Sequence, residues 1–127
     1  LGFPPQSQEK AEFAFKSALT GLESMRKAGV KVGFGTDLLG SLYLQECREF
    51  TLRREVFQPV EILRQATSVN AELLQMDGKL GCIAPRAHAD LLVVDGDPLK
   101  DIGLLAADGR HLKCIVRGGD VVKNELA

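Results

Sequence analysis

Nine residues, Gly29-Val30-Lys31-Val32-Gly33-Phe34-Gly35-Thr36-Asp37, set the terms on which the rest of the chain can be arranged. Gly29 closes a helical pattern. Val30 to Phe34 reads as a short buried strand running on to Thr36, and Asp37 stands where that strand passes into a loop. Alternate side chains of a strand face opposite ways. Val30, Val32 and Phe34 therefore share one face, expected to pack under helices, and Lys31, Gly33, Gly35 and Asp37 share the other. Two glycines on that second face leave room for neighbouring groups to come close. A carboxylate at the C-terminal end of such a strand overlooks whatever fills that room, and in α/β folds this is where chemistry sits. The plain alternative is an aspartate that caps the loop or the next helix.

Upstream, Pro4-Pro5 is expected to keep the start extended, with Ser7 as N-cap and Glu9 in the first turn. Ala11, Phe15, Ala18, Leu22 and Met25 then recur as one face of an amphipathic helix. Arg26 and Lys27 suit its last turn, and Gly29 the left-handed residue just past it. Downstream, Asp37 to Leu42 reads as a loop. The pattern predicts a helix over Tyr43 to Val56, with Leu44, Cys47 and Phe50/Thr51 inward and Arg48, Arg53, Arg54 and Glu55 outward. Pro59 suits the first position of a third helix, whose buried stripe would be Val60, Leu63, Ala66 and Thr67. A further short helix, Ser68 to Met76, would follow a break at Thr67-Ser68 and end at Gly78.

After Gly78 the texture changes to β-formers and turn residues. Ala89 to Asp95 is the strongest strand, and its unbroken apolar run predicts burial on both faces. Asp95-Gly96-Asp97-Pro98 is a turn, and Gly118-Gly119 between Cys114–Arg117 and Asp120–Lys123 signals a hairpin. One α/β strand, several helices and a small β layer do not make a self-sufficient domain, because a lone parallel strand needs neighbours for its backbone groups. This predicts a chain that is the tail of a larger protein or that relies on other chains.

Composition excludes more than it assigns. A 127-residue chain with 45% hydrophobic residues can bury a real core, and a net charge of −1 gives no reason to expect nucleic acid or a membrane surface as partner. No apolar run approaches the roughly 20 residues of a membrane span, and no basic-then-apolar leader is visible. Cys47, Cys82 and Cys114 are widely spaced and odd in number, which reads as reduced, mostly buried thiols in a cytoplasmic protein.

Few residues carry chemistry. Gly33-x-Gly35 lacks the third glycine of a dinucleotide fingerprint, since position 38 is Leu38. His88 and His111 have no second ligand at short spacing, so a self-contained zinc site is not indicated. His88 reads as a solvated surface residue, Asp90 as the maker of a turn bond, and Asp95 and Asp97 as turn residues. Glu46 could face a substrate pocket, although a solvated helix face is the simpler reading. No serine or cysteine has a neighbouring base.

Four ordered blocks nevertheless resemble the C-terminal part of the metal-dependent amidohydrolase superfamily, nearest the imidazolonepropionase-related and Xaa-Pro dipeptidase (prolidase)-like members. They are Val30 to Asp37, Pro59 to Ala71, Gly78 to Pro85 and Ala89 to Leu99, with Val116 to Val122 matching the family's closing hairpin. Together they cover nearly the whole chain. The resemblance implies residues 1–77 as the closing helix–strand units of a (β/α)₈ barrel, with Val30–Thr36 as its eighth strand. Residues 78–127 would be strands of a small composite β-sandwich. It implies Asp37 as both a metal ligand and the catalytic carboxylate, with one or two divalent ions, zinc first, in the complete enzyme. A metal lowers the pKa of bound water, and a nearby carboxylate can move its proton to the leaving nitrogen. The family's His-x-His, bridging lysine or glutamate and two further histidines are absent, so this chain holds one ligand of a larger set. Arg86 follows Pro85 where glycine is usual, which predicts a different turn type there. The expectation is thus a C-terminal fragment of a hydrolase acting on carbon–nitrogen bonds of an amide, cyclic amide or dipeptide. That fragment would be inactive, would not hold metal alone and would self-associate. The alternative is a non-catalytic α/β module for protein–protein assembly.

Overall fold

A computed structural model describes residues 5–126, with the side chains of residues 5–8, 11, 12 and 15 excepted. It divides into two units, residues 1–32 and residues 33–127. The first is built on helix α1, Pro5–Lys27. The helix is already formed at Pro5, where the missing N–H costs nothing, so the expected cap at Ser7 lies inside it. Its end follows the sequence. Gly29 takes φ 68, its N–H donates to the Arg26 carbonyl at 3.1 Å, and the Val30 N–H reaches the Met25 carbonyl at 3.0 Å. Those two bonds are a Schellman closure, which needs a residue without Cβ at that point. Of the expected apolar stripe, Ala11 and Phe15 lie outside the described side chains, Leu22 is half-buried, and Ala18 and Met25 are exposed. An exposed Glu23–Lys27 pair at 2.8 Å holds the Glu23 carboxyl below its ordinary pKa through a hydrogen bond from Lys27.

The predicted strand Val30–Thr36 joins no ladder, because no described strand lies beside it. The predicted helix Tyr43–Val56 instead starts at Gly40 as a 3₁₀ helix, Gly40–Arg48, and passes through α2, Glu49–Leu52, into a 3₁₀ turn, Arg53–Glu55. Leu44 and Cys47, expected inward, are exposed, and Arg53, expected outward, is among the most buried residues at 5% exposure. Apolar periodicity could not find this face, since its anchor is a cation satisfied by its own partners.

Pro59 does open a helix, α3, Pro59–Arg64, and the Glu61 carboxylate accepts the Gln58 backbone N–H at 2.8 Å. No break follows at Thr67-Ser68. The run continues through a π turn, Gln65–Val69, into α4, Asn70–Leu73. Its buried positions are Ile62, Gln65 and Ala71, whereas Val60 and Thr67 of the expected stripe are exposed. Ile62 is wholly buried, and such burial is worth about 1.5–3 kcal/mol. With Phe57, Ile102 and Leu105 it forms the core, and α2 lies against the 3₁₀ helix Ile102–Leu105.

Three antiparallel strands follow in the order β1 (Leu91–Val94), β2 (Leu112–Arg117), β3 (Asp120–Asn124). Leu92 faces Ile115, and Ile115 faces Lys123. Gly118 and Gly119, at φ 59 and φ 93, turn β2 into β3 as a type I′ turn requires. Asp90, expected to make a turn bond, instead reaches across to the β2–β3 hairpin and accepts the Gly118 N–H at 2.6 Å, whereas Asp97 makes a turn bond, accepting the Leu99 N–H at 3.0 Å. His88 is exposed, as expected. The expectation of β1 buried on both faces does not hold: Leu92 and Val93, on opposite faces, are 54% and 44% exposed, since the packing that encloses Cys114 beside Val93 does not extend over these β1 side chains. Arg86 keeps the backbone a glycine would take, at φ 71, with the Ala87 N–H on the Ala84 carbonyl at 3.1 Å, so the turn stays type II. Two of the three thiols, Cys47 and Cys82, are exposed rather than buried, since each lies outside the core; only Cys114 is enclosed.

Candidate functional site

The segment 33–37 is held by side chains rather than by strands. The Asn70 amide meets the Phe34 backbone twice: the Phe34 N–H donates to Asn70 Oδ1 at 2.9 Å, and Asn70 Nδ2 donates to the Phe34 carbonyl at 2.9 Å. One side chain thus supplies both bonds that a neighbouring strand would give a single residue. Gly33 makes room for it. A Cβ there would stand 2.7 Å from Asn70 Oδ1 and 2.9 Å from Leu73 Cδ1. The two glycines are therefore not equivalent: Gly33 admits a close neighbour, while Gly35 faces open space.

The Phe34 ring is fixed as firmly. It packs on Phe50 at 4.5 Å between ring centroids, and the Arg53 guanidinium lies 4.9 Å from its centroid. Arg53 is itself anchored, its Nε donating to Glu49 Oε1 at 2.7 Å and its Nη1 to Gln65 Oε1 at 2.6 Å. A buried cation is tolerated only when paired and hydrogen-bonded, and here the ring face adds a third partner. Among the described residues, no buried side-chain nitrogen or oxygen lacks a partner.

Beyond Phe34 the chain runs through Gly35 and Thr36 to Asp37, whose φ of 52 is unusual for a residue other than glycine. A non-glycine residue in that region is disfavoured and persists where the surroundings impose it. Asp37 is exposed and lines an open cleft of 420 Å³ with Phe34, Gly35, Thr36, Glu46, Cys47 and Phe50. Glu46, for which a solvated helix face was the simpler expectation, is exposed and also on the cleft wall. The site therefore offers two carboxylates and a thiol at the rim of an aromatic floor. It does not make a metal centre by itself: among the described residues, no three His, Cys, Asp or Glu side chains come together to hold an ion. The sequence reading missed Asn70 and Gln65. A search for apolar stripes passes over both, because each is a polar amide and five residues separate them, off the spacing of a regular helix.

A helical run holding an aspartate-bearing segment ahead of a small antiparallel sheet is an α/β arrangement, and comparison with known proteins gives it a family. Residues 6–122 match the amidohydrolase family, and the chain belongs to it. It is similar to a solved amidohydrolase structure, with 45% identity and a TM-score of 0.89, over 99% of this chain and 30% of that one. It is also similar to a prolidase solved in complex with N-methylphosphonate-L-proline, with 44% identity and a TM-score of 0.86, over 97% of this chain and 30% of that one. A 5-methylthioadenosine/S-adenosylhomocysteine deaminase of Symbiobacterium thermophilum is 30% identical over 93 residues, 64% of this chain and 21% of its own length. The chain thus spans under a third of the relatives it matches.

The packing around Phe34 makes a stability prediction. Arg53→Leu leaves the Gln65 oxygen buried without its donor and removes the partner of Glu49, an expected loss of about 2–4 kcal/mol. Arg54→Leu, whose contact with Asp101 is 4.0 Å between exposed side chains, is expected to cost under about 0.5 kcal/mol. Urea unfolding of the two variants checks this, and equal midpoints would remove Arg53 from the support of the site.

Proposed function

We propose that this chain forms the C-terminal part of a metal-dependent hydrolase that cleaves carbon–nitrogen bonds, with a dipeptide or related amide as its substrate. The observation that carries the reading is Asp37, set at the rim of a 420 Å³ cleft by a segment clamped at Phe34. Family membership supports it, as do the relatives: a prolidase holding a proline-derived phosphonate and a deaminase are enzymes of carbon–nitrogen bonds. The substrate assignment leans on the prolidase, because it is the more similar of the two.

In this reading residues 1–77 are the closing segment of the (β/α)₈ barrel, with Val30–Thr36 as its last strand, and residues 78–127 belong to the small β domain. The absence of a ladder at 33–36 supports this, since barrel neighbours would come from outside the chain. Asp37 is assigned as the catalytic carboxylate and as one ligand of a divalent cation, zinc first. The described residues do not complete a cation site, so the other donors must come from elsewhere. The work assigned to Asp37 is to accept a proton from the attacking water and return it to the leaving nitrogen, a transfer that contributes about 10²–10⁴-fold. The cytoplasm is the compartment proposed with it; among the described residues, no helix is long and apolar enough to cross a membrane.

Two outcomes are expected. In the complete hydrolase, Asp37→Asn lowers kcat by at least about 10²-fold, with an unchanged unfolding midpoint. Steady-state kinetics on an Xaa-Pro dipeptide checks this, and turnover close to the parent's would take Asp37 out of the chemistry. The 127-residue chain alone self-associates, because β1 and β3 are open edges and Leu92, Val121 and Val122 are more than half exposed. Light scattering across a dilution series should give masses above one chain. A monomeric mass throughout would argue that the chain needs no covering partner.

A further inference from the structure

The helical run from Pro59 to Leu73 carries a π turn at Gln65–Val69, and the two residues that bracket it address the same target. Gln65 binds Arg53, whose guanidinium lies over the Phe34 ring; Asn70 binds the Phe34 backbone. An α-helix turns about 100° per residue, so side chains five apart diverge by about 140°. A π turn, closed by i→i+5 bonds, brings residues five apart back toward one face. The extra residue that a regular helix would lack is what lets Gln65 and Asn70 converge on one aromatic residue.

From this we infer that Asn70, admitted by Gly33 and aimed by the π turn, is a positioning residue for Asp37. The inference rests on the catalytic assignment of Asp37. Asn70 does not itself line the cleft; it reaches the site through the backbone of Phe34, which does. By taking both polar groups of Phe34 it fixes the direction in which the chain leaves that residue. Asp37 lies three residues on, about 10 Å of extended chain at most. Over that distance, only Gly35 and Thr36 intervene, so a small rotation at Phe34 carries the carboxylate across the cleft mouth. Gly33 and Asn70 form one device: a Cβ at position 33 would fall 2.7 Å from the amide oxygen and push the clip away.

The test has two arms. In the 127-residue chain, backbone hydrogen exchange at Phe34 is compared among the parent, Asn70→Ala, Asn70→Asp and Gly33→Ala. Exchange about tenfold faster is expected in Asn70→Ala and Gly33→Ala, with a smaller change in Asn70→Asp, which keeps an acceptor for the Phe34 N–H. Equal exchange in all four overturns the clip. In the complete hydrolase, Asn70→Ala should lower kcat about 10²-fold while KM moves by less than about threefold, with partial recovery in Asn70→Asp, since a misplacement near 1 Å costs on that order. Unchanged kcat in Asn70→Ala, alongside an inactive Asp37→Asn, overturns the positioning role and leaves the Asp37 assignment intact. Normal turnover in Asp37→Asn removes that assignment and the positioning role together, while the exchange arm still decides whether the clip exists. Should Asn70→Ala fail to fold, Asn70→Asp carries both readouts.

Discussion

The clamp on Phe34 is the interaction on which the rest of this structure depends. Its ring packs on Phe50 and against the Arg53 guanidinium, and its backbone is held by Asn70. Each support is tied to a different element, so the clamp gathers α2, the 3₁₀ turn at Arg53–Glu55 and the long helical run onto one residue. Hydrophobic burial does the rest around Ile62, Phe57 and Ile102. The polar part is the more demanding. A buried guanidinium without Glu49 and Gln65 would be costly, whereas the satisfied network is rigid and leaves little choice of register.

What was legible in the sequence was punctuation and family. Gly29 ends α1 as its position suggests, Pro59 opens α3, Gly118-Gly119 turns the hairpin, and Asp97 makes the turn bond its spacing implies. These features are local, and local rules read them. What was not legible depends on partners distant in sequence. Arg53 looked like a solvated charge because periodicity cannot see Gln65 and Phe34 around it. The π turn was read as a break, since an inserted residue disrupts a 3.6-residue pattern just as a gap between two helices would. Arg86 was expected to change its turn and instead accepts the left-handed backbone.

Of the site, the sequence supplied the position of Asp37 and the reason for Gly33, but not the neighbour that Gly33 admits. Asn70 binds Phe34 across 36 positions of sequence, a separation that no local pattern spans. The β layer teaches a related point. The apolar run of β1 correctly marks a strand, yet it does not report burial: Leu92 and Val93 are exposed on opposite faces.

We propose Asp37 as the working end of this clamped segment, and an anomalous difference map of the complete hydrolase, collected at the zinc edge on zinc-loaded crystals, decides it. The expected result is an anomalous peak with an Asp37 carboxylate oxygen at about 2.0–2.2 Å. A fully ligated zinc with Asp37 outside coordinating distance would contradict it.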